Sequence, residues 1–132
     1  MAYRRSPTAS SGRRNVYLGT VNNSGSITAT NGSALLIQGS GTFTNTITNS
    51  GTLSSTLYGA QVNTGNLINS GTIQGQTGVF FTGSGPGTLV NSGTITGTGG
   101  TAISLAGNNN TVLIQEGSTI TGLYSWGRSS TR

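Results

Sequence analysis

Few side chains in this 132-residue chain can do acid–base or ligand chemistry: one carboxylate, Glu116, and six guanidinium groups. His, Cys, Asp and Lys are absent. A lone carboxylate cannot form the acid pair of a glycosidase. Without His and Asp there is no activated serine of the triad type, and without Cys no thiolate nucleophile. Thiolate and imidazole metal sites lack their ligands, and a calcium site would need several carboxylates. The lysine that completes a phosphate-cradling glycine loop is missing too. The chain is therefore expected to be non-enzymatic, with no catalytic, metal-binding or cofactor-binding residues.

The arginines lie at the two ends. Arg4, Arg5, Arg13 and Arg14 precede, and Arg128 and Arg132 follow, a body from Asn15 to Gly127 whose one charge is Glu116. Residues 1–14 are expected to form a flexible basic arm and residues 124–132 an aromatic and basic tail. The arginines are candidate contacts for acidic glycans or membrane headgroups, or straps onto a neighbouring subunit. The arm has one aromatic residue, Tyr3, too few for a base-stacking platform, so specific nucleic-acid binding is not expected. No apolar run approaches the ~20 residues of a membrane-spanning helix. The first residues do not read as a signal peptide.

Between these ends a repeat must do the positioning. Hydrophobic residues make up 31% of the chain and charged residues 5%, unlike the highly charged, apolar-poor composition of disordered segments. Glycine follows no Gly-X-Y period, which excludes collagen. Instead one phrase recurs: Asn23-Ser24-Gly25-Ser26-Ile27, Asn49-Ser50-Gly51-Thr52-Leu53, Asn69-Ser70-Gly71-Thr72-Ile73 and Asn91-Ser92-Gly93-Thr94-Ile95. A worn fifth copy is Glu116-Gly117-Ser118-Thr119-Ile120. Spacing of this order signals stacked units rather than one globular core.

Period-two alternation sorts each unit into three short strands. The first strand turns Ile27, Leu53, Ile73, Ile95 and Ile120 inward. The second turns in Leu35 and Ile37, Ala60 and Val62, Val79 and Phe81, and Ile103 and Leu105. The third contributes Val21, Ile47, Leu67 and Leu89. Stacked coil on coil, each strand pairs with its equivalent ~4.8 Å away. The expected fold is all-β, a parallel β-helix or β-solenoid of about five three-stranded coils over residues 15–123. An antiparallel sandwich is the alternative, but it has no reason to repeat one phrase.

Two sets of polar residues follow from the threading. Asn23, Asn49, Asn69 and Asn91 each fall two places after an inward apolar residue. They are expected to face inward and stack as an amide ladder, although Asn-Ser-Gly is also ordinary turn chemistry. On the outer side of the first strands, Ser26, Thr28, Thr52, Ser54, Thr72, Thr94, Thr96, Thr119 and Thr121 form a Thr-x-Thr-like hydroxyl array, interrupted by Gln74. That array resembles the ice-binding face of some insect and bacterial solenoids. Outward Leu36, Tyr58 and Phe80 are candidates for an adhesive patch.

The run Asn91-Ser92-Gly93-Thr94-Ile95, followed by Gly97-x-x-Gly100-x-Ala102-Ile103-x-Leu105, resembles the passenger repeats of bacterial autotransporter adhesins and haemagglutinin-like surface proteins. The likeness extends over residues 15–123. It implies a right-handed parallel β-helix and an extracellular or cell-surface setting. It implies no particular ligand.

Solenoids normally protect their ends with caps, and no segment here reads as one. Val16-Tyr17-Leu18 matches the second-strand slot of Val79-Phe80-Phe81, and Thr119-Ile120-Thr121 fills a first-strand slot. A second copy would supply the next strand. Such a head-to-tail contact does not close and generates a filament, advancing ~24 Å per subunit for five coils. Val16, Tyr17, Leu18, Ile120, Leu123, Tyr124 and Trp126 are the expected junction. The expected function is a structural, self-associating extracellular filament or adhesive fibre. The alternative is a binding module that uses one solenoid face for a glycan, another surface or ice.

Overall fold

Strands of four or five residues, with an apolar side chain at every second position, cannot bury a face alone. They are stable where equivalent strands stack on both sides. The computed structural model describes residues 2–5, 14–16, 20–38, 45–83, 85–107 and 109–126, and shows this arrangement throughout. One six-stranded sheet stacks β1 (Ala2–Arg5), β3 (Thr20–Asn23), β6 (Thr46–Asn49), β9 (Gly65–Asn69), β11 (Gly87–Asn91) and β13 (Thr111–Ile114) in that order. The second sheet has eight strands. Its main path runs through β2 (Arg14–Val16), β5 (Ser33–Ile37), β8 (Tyr58–Val62), β10 (Thr72–Phe81), β12 (Thr94–Leu105) and β14 (Thr119–Trp126). The last three continue from the first-strand into the second-strand position. In earlier coils the first strand stands apart, as β4 (Ser26–Ala29) and β7 (Thr52–Ser55). Every pairing is parallel. The fold is an all-β parallel solenoid.

The core is a set of columns. Val21, Ile47, Leu67, Leu89 and Val112 are in register along the first sheet. Ile27, Leu53, Ile73, Ile95 and Ile120 form a second column. Leu35, Ala60, Val79, Ile103 and Tyr124 form a third, and Ile37, Val62, Phe81 and Leu105 a fourth. In the middle coils these inward residues are fully buried, among them Leu67, Ile73, Val79 and Leu89. Each fully buried aliphatic side chain contributes ~1.5–3 kcal/mol, so the columns supply the main driving force.

Loop length varies at one corner and is held at another. The chain passes from β8 to β9 in two residues, 63–64, but from β10 to β11 in five, 82–86. From the first sheet into the first strand it uses Ser-Gly alone, at positions 24–25, 50–51, 70–71 and 92–93. The glycine there answers to close stacking. A Cβ on Gly51 would strike the Gly25 carbonyl oxygen, one on Gly71 that of Gly51, and one on Gly93 that of Gly71.

Several expectations are corrected. Ala2–Arg5, placed in a flexible arm, pair with Thr20–Asn23 and extend the first sheet by a rung. Arg14 likewise belongs to a strand, and Val16 pairs with Ile37, in line with Phe81 rather than Val79. The body does not end at residue 123, because Tyr124, Ser125 and Trp126 pair with Ile103, Ser104 and Leu105. The last described strand therefore reaches a second-strand slot, where a first-strand ending was expected. Leu36 sits in the outward rank with Gln61, Phe80 and Ser104, yet is 6% exposed. It is not part of an adhesive patch, and Tyr58 and Phe80 instead stack on each other with ring centroids 4.8 Å apart.

Candidate functional site

The recurring phrase builds one corner. Its Asn side chains point inward and are buried: Asn49, Asn69 and Asn91 fully, Asn23 almost so. Each amide Nδ2 donates to the Oδ1 of the next coil's asparagine at 2.7 Å, from Asn23 to Asn49, Asn49 to Asn69 and Asn69 to Asn91. These three nitrogens and that of Asn91 also donate to the carbonyl two residues on, at Gly25, Gly51, Gly71 and Gly93. The backbone is satisfied in parallel. The Asn23 carbonyl accepts from the Ser50 and Gly51 N–H groups at 2.9 and 3.1 Å, and Asn49 and Asn69 do the same one coil later. The serine hydroxyls of 50, 70 and 92 add a longer bond to that carbonyl. Burying these groups unpaired would cost several kcal/mol, so the phrase is preserved where polar groups meet the core.

The ladder has definite ends. Ile114, not Glu116, lies over Asn91. Four residues, Gln115-Glu116-Gly117-Ser118, replace the usual Ser-Gly, and a Ser118 N–H bond to the Gln115 carbonyl closes the wider turn. The worn fifth phrase is thus offset by two residues, and Glu116 stands exposed on the turn. Asn91 Nδ2 keeps the Gly93 carbonyl at 3.0 Å, but among the described residues it has no partner in the next coil. At the opposite end the strand register sets Arg5 beside Asn23.

The hydroxyl array is assembled as two ranks. Ser26, Thr52, Thr72, Thr94 and Thr119 are in register, and beside them run Thr28, Ser54, Gln74, Thr96 and Thr121. All ten are half-buried or exposed. The surface is uncharged and repeats with the rung spacing of ~4.8 Å. Such ranks present hydroxyl donors and acceptors at fixed intervals, although Gln74 breaks the second.

The most incomplete surface is the last described rung. Val112 and Ile120 belong to columns whose earlier members, Leu89 and Ile95, are fully buried, yet they are themselves partly uncovered. Ile114, over the asparagine column, is 40% exposed and Tyr124, in register with the fully buried Ile103, is 39% exposed. Leu113 and Leu123, in the ranks of half-buried Val90 and Thr101, add 52% and 73% exposed side chains beside them. Among the described residues no strand pairs with the outer edge of β13 or β14. The structure thus brings Ile120, Leu123 and Tyr124 together on one open rung, with Trp126 at the end of the same strand. Val16 lies on β2, at the other end of the second sheet. Tyr17, Leu18, Arg13, Arg128 and Arg132 lie outside the described residues. Arg4, Arg5 and Arg14 are placed on β1 and β2. Sequence reasoning missed Ile114 in this patch, because the fifth phrase seemed to put Glu116, not Ile114, over Asn91.

No protein family, curated protein or solved structure matches the chain.

Proposed function

We propose that this is a non-enzymatic structural protein that self-associates head-to-tail into an extracellular filament or adhesive fibre. The observation that carries the reading is the open apolar rung of β13 and β14. It exposes core-column side chains together with an unpaired parallel edge, the kind of edge that proteins ordinarily cover or charge. The other end of the first sheet is β1, in the same slot and strand direction as β13. A β1 strand from a second copy fits over β13, and β2 over the second half of β14, by continuing the existing register. The contact is heterologous and does not close. Six rungs in the first sheet give an advance of ~29 Å per subunit at ~4.8 Å per rung, replacing the ~24 Å expected from five coils. The arginine-bearing end supports secondary contacts with acidic glycans at a cell surface.

Negative-stain microscopy and sedimentation velocity of the purified chain test this reading, with Ile114→Lys as the partner variant. In a lone molecule a lysine at that edge reaches water. In a stacked junction that continues the register, Arg5 of the second copy falls opposite position 114, so the lysine sets two like charges across the junction, which opposes association. The wild type is expected to form fibres with an axial repeat near that advance, and the variant to remain monomeric and folded. A wild type that stays monomeric at high concentration refutes the proposal, as do fibres without such a repeat.

A second reading is supported by the two hydroxyl ranks: a binding module that docks a periodic surface, ice being the simplest. Freezing-point hysteresis that disappears in Thr94→Lys would favour it. No hysteresis in the wild type would remove ice as the ligand.

A further inference from the structure

Asn31 and Gly32 form the one Asn-Gly pair in the chain. They occupy the turn from β4 to β5, and Asn31 is exposed. The carbonyl side of this turn is clamped by the next coil. The Gly32 oxygen accepts the Tyr58 N–H at 3.2 Å and the Ser55 hydroxyl at 2.6 Å. The amide side is open: among the described residues neither the Gly32 N–H nor the Asn31 side chain has a hydrogen-bond partner. Gly32 has φ of 81°, and, lacking a Cβ, it puts no side chain of its own beside its nitrogen.

The asparagines of the phrase are the opposite case. Their amides are buried and locked in the ladder. The following nitrogens of Ser50, Ser70 and Ser92 are engaged with the preceding coil at 2.8–2.9 Å. Both reacting groups are therefore held back at Asn49, Asn69 and Asn91, and neither is at Asn31.

We propose that Asn31 is a site of spontaneous, enzyme-free modification. The Gly32 backbone nitrogen attacks Cγ of Asn31, a C–N bond forms, and the Cγ–Nδ2 bond breaks. The leaving nitrogen takes up the proton released from the Gly32 amide and departs as ammonia, leaving a five-membered succinimide. Water then opens either carbonyl of that ring, giving aspartate or isoaspartate. No oxidation or reduction is involved, and the co-reactant is solvent. Either product adds a carboxylate to a body that otherwise carries Glu116 alone, and lowers the net charge from +5 to +4. The isoaspartyl form also inserts a methylene into the main chain where β4 turns into β5. The turn thus carries a slow, one-way charge change that proceeds at a rate set by pH and temperature.

The test is to incubate the full-length folded protein at mildly alkaline pH and follow it by peptide mapping and mass spectrometry. The wild type, Asn31→Gln, and a short peptide containing Thr30-Asn31-Gly32-Ser33 are run side by side. The expected result is a unit mass gain at Asn31 that outpaces every phrase asparagine by an order of magnitude, with an isoaspartyl product, and no corresponding acidic species in Asn31→Gln. The proposal is overturned if Asn31 stays intact in the folded protein while the peptide converts. It is equally overturned if a phrase asparagine converts first.

Discussion

Replacing Asn69 with leucine asks whether the amide ladder stabilises the solenoid or merely fits inside it. Leucine has nearly the same volume, so packing changes little. Asn69 accepts from Asn49 and donates to Asn91 and to the Gly71 carbonyl. Three lost bonds at ~1 kcal/mol each, with the Asn91 Oδ1 left buried and without a donor at ~1–3 kcal/mol, set the gross cost. The new apolar surface offsets ~2 kcal/mol. The net loss expected is ~2–4 kcal/mol, or a fall in melting temperature of roughly 10 °C for a chain of this size. Asn69→Asp should cost more when ionised, ~3–5 kcal/mol, because a buried charge then faces the Asn91 oxygen. Burial raises the folded-state pKa of that new carboxyl above its unfolded value of ~3.9. The aspartate variant is therefore most stable, relative to wild type, below that unfolded pKa. It loses stability as pH rises through the folded pKa, while the leucine variant shows no such slope. Thermal melts by circular dichroism across pH read all of this. Asn66→Leu, on the outward side of the same strand, is the control and should stay within ~0.5 kcal/mol. An Asn69→Leu protein as stable as that control would refute the ladder as a stabilising element.

Gly71→Ala should be among the most disruptive small changes, at ~3 kcal/mol or more in chemical denaturation, because the added Cβ meets stacked backbone that cannot give way. Gly100→Ala is the contrast: it has open space and only its positive φ to resist, so ~1–2 kcal/mol is expected. Phe80→Ala should cost ~1–2 kcal/mol, and a double-mutant cycle with Tyr58→Ala should recover ~1 kcal/mol of coupling for their stacked rings.

The columns were legible because β-strand alternation and a fixed five-residue phrase leave little freedom. Once Ile73 and Ile95 are aligned, Thr72 with Thr94 and Asn69 with Asn91 follow. The hydroxyl ranks were legible for the same reason. What failed was reasoning from composition alone. Ala-Tyr-Arg-Arg looks like a cationic arm, yet its backbone can join an open parallel edge whatever its charge, and Ala2–Arg5 extend the first sheet. Tyr124-Ser125-Trp126 looks like a tail because aromatic residues break the repeat's vocabulary, although they occupy its slots. The fifth phrase misled by its resemblance: two extra residues in the turn leave Thr119 and Ile120 in register while moving Glu116 out of the asparagine column. The glycine of the phrase was recognised as turn chemistry. Its physical cause, the carbonyl of the coil below, lies some twenty residues away in sequence and leaves no local sign.

The asparagine corner also has an electrical consequence. Along the side-chain column the donors lie on the earlier coil and the acceptors on the later one, from Asn23 to Asn91. In the adjoining main chain the order is reversed, with the Ser50, Ser70 and Ser92 nitrogens of later coils donating to carbonyls of earlier ones. Two files of aligned amide dipoles therefore run side by side in opposite directions. Antiparallel neighbours attract, and each file sits in the favourable field of the other. Lengthening the stack by a coil adds one dipole to each file, so polarisation along either can strengthen its bonds without a growing charge separation at the ends. A column of this kind can be extended indefinitely at no electrostatic penalty.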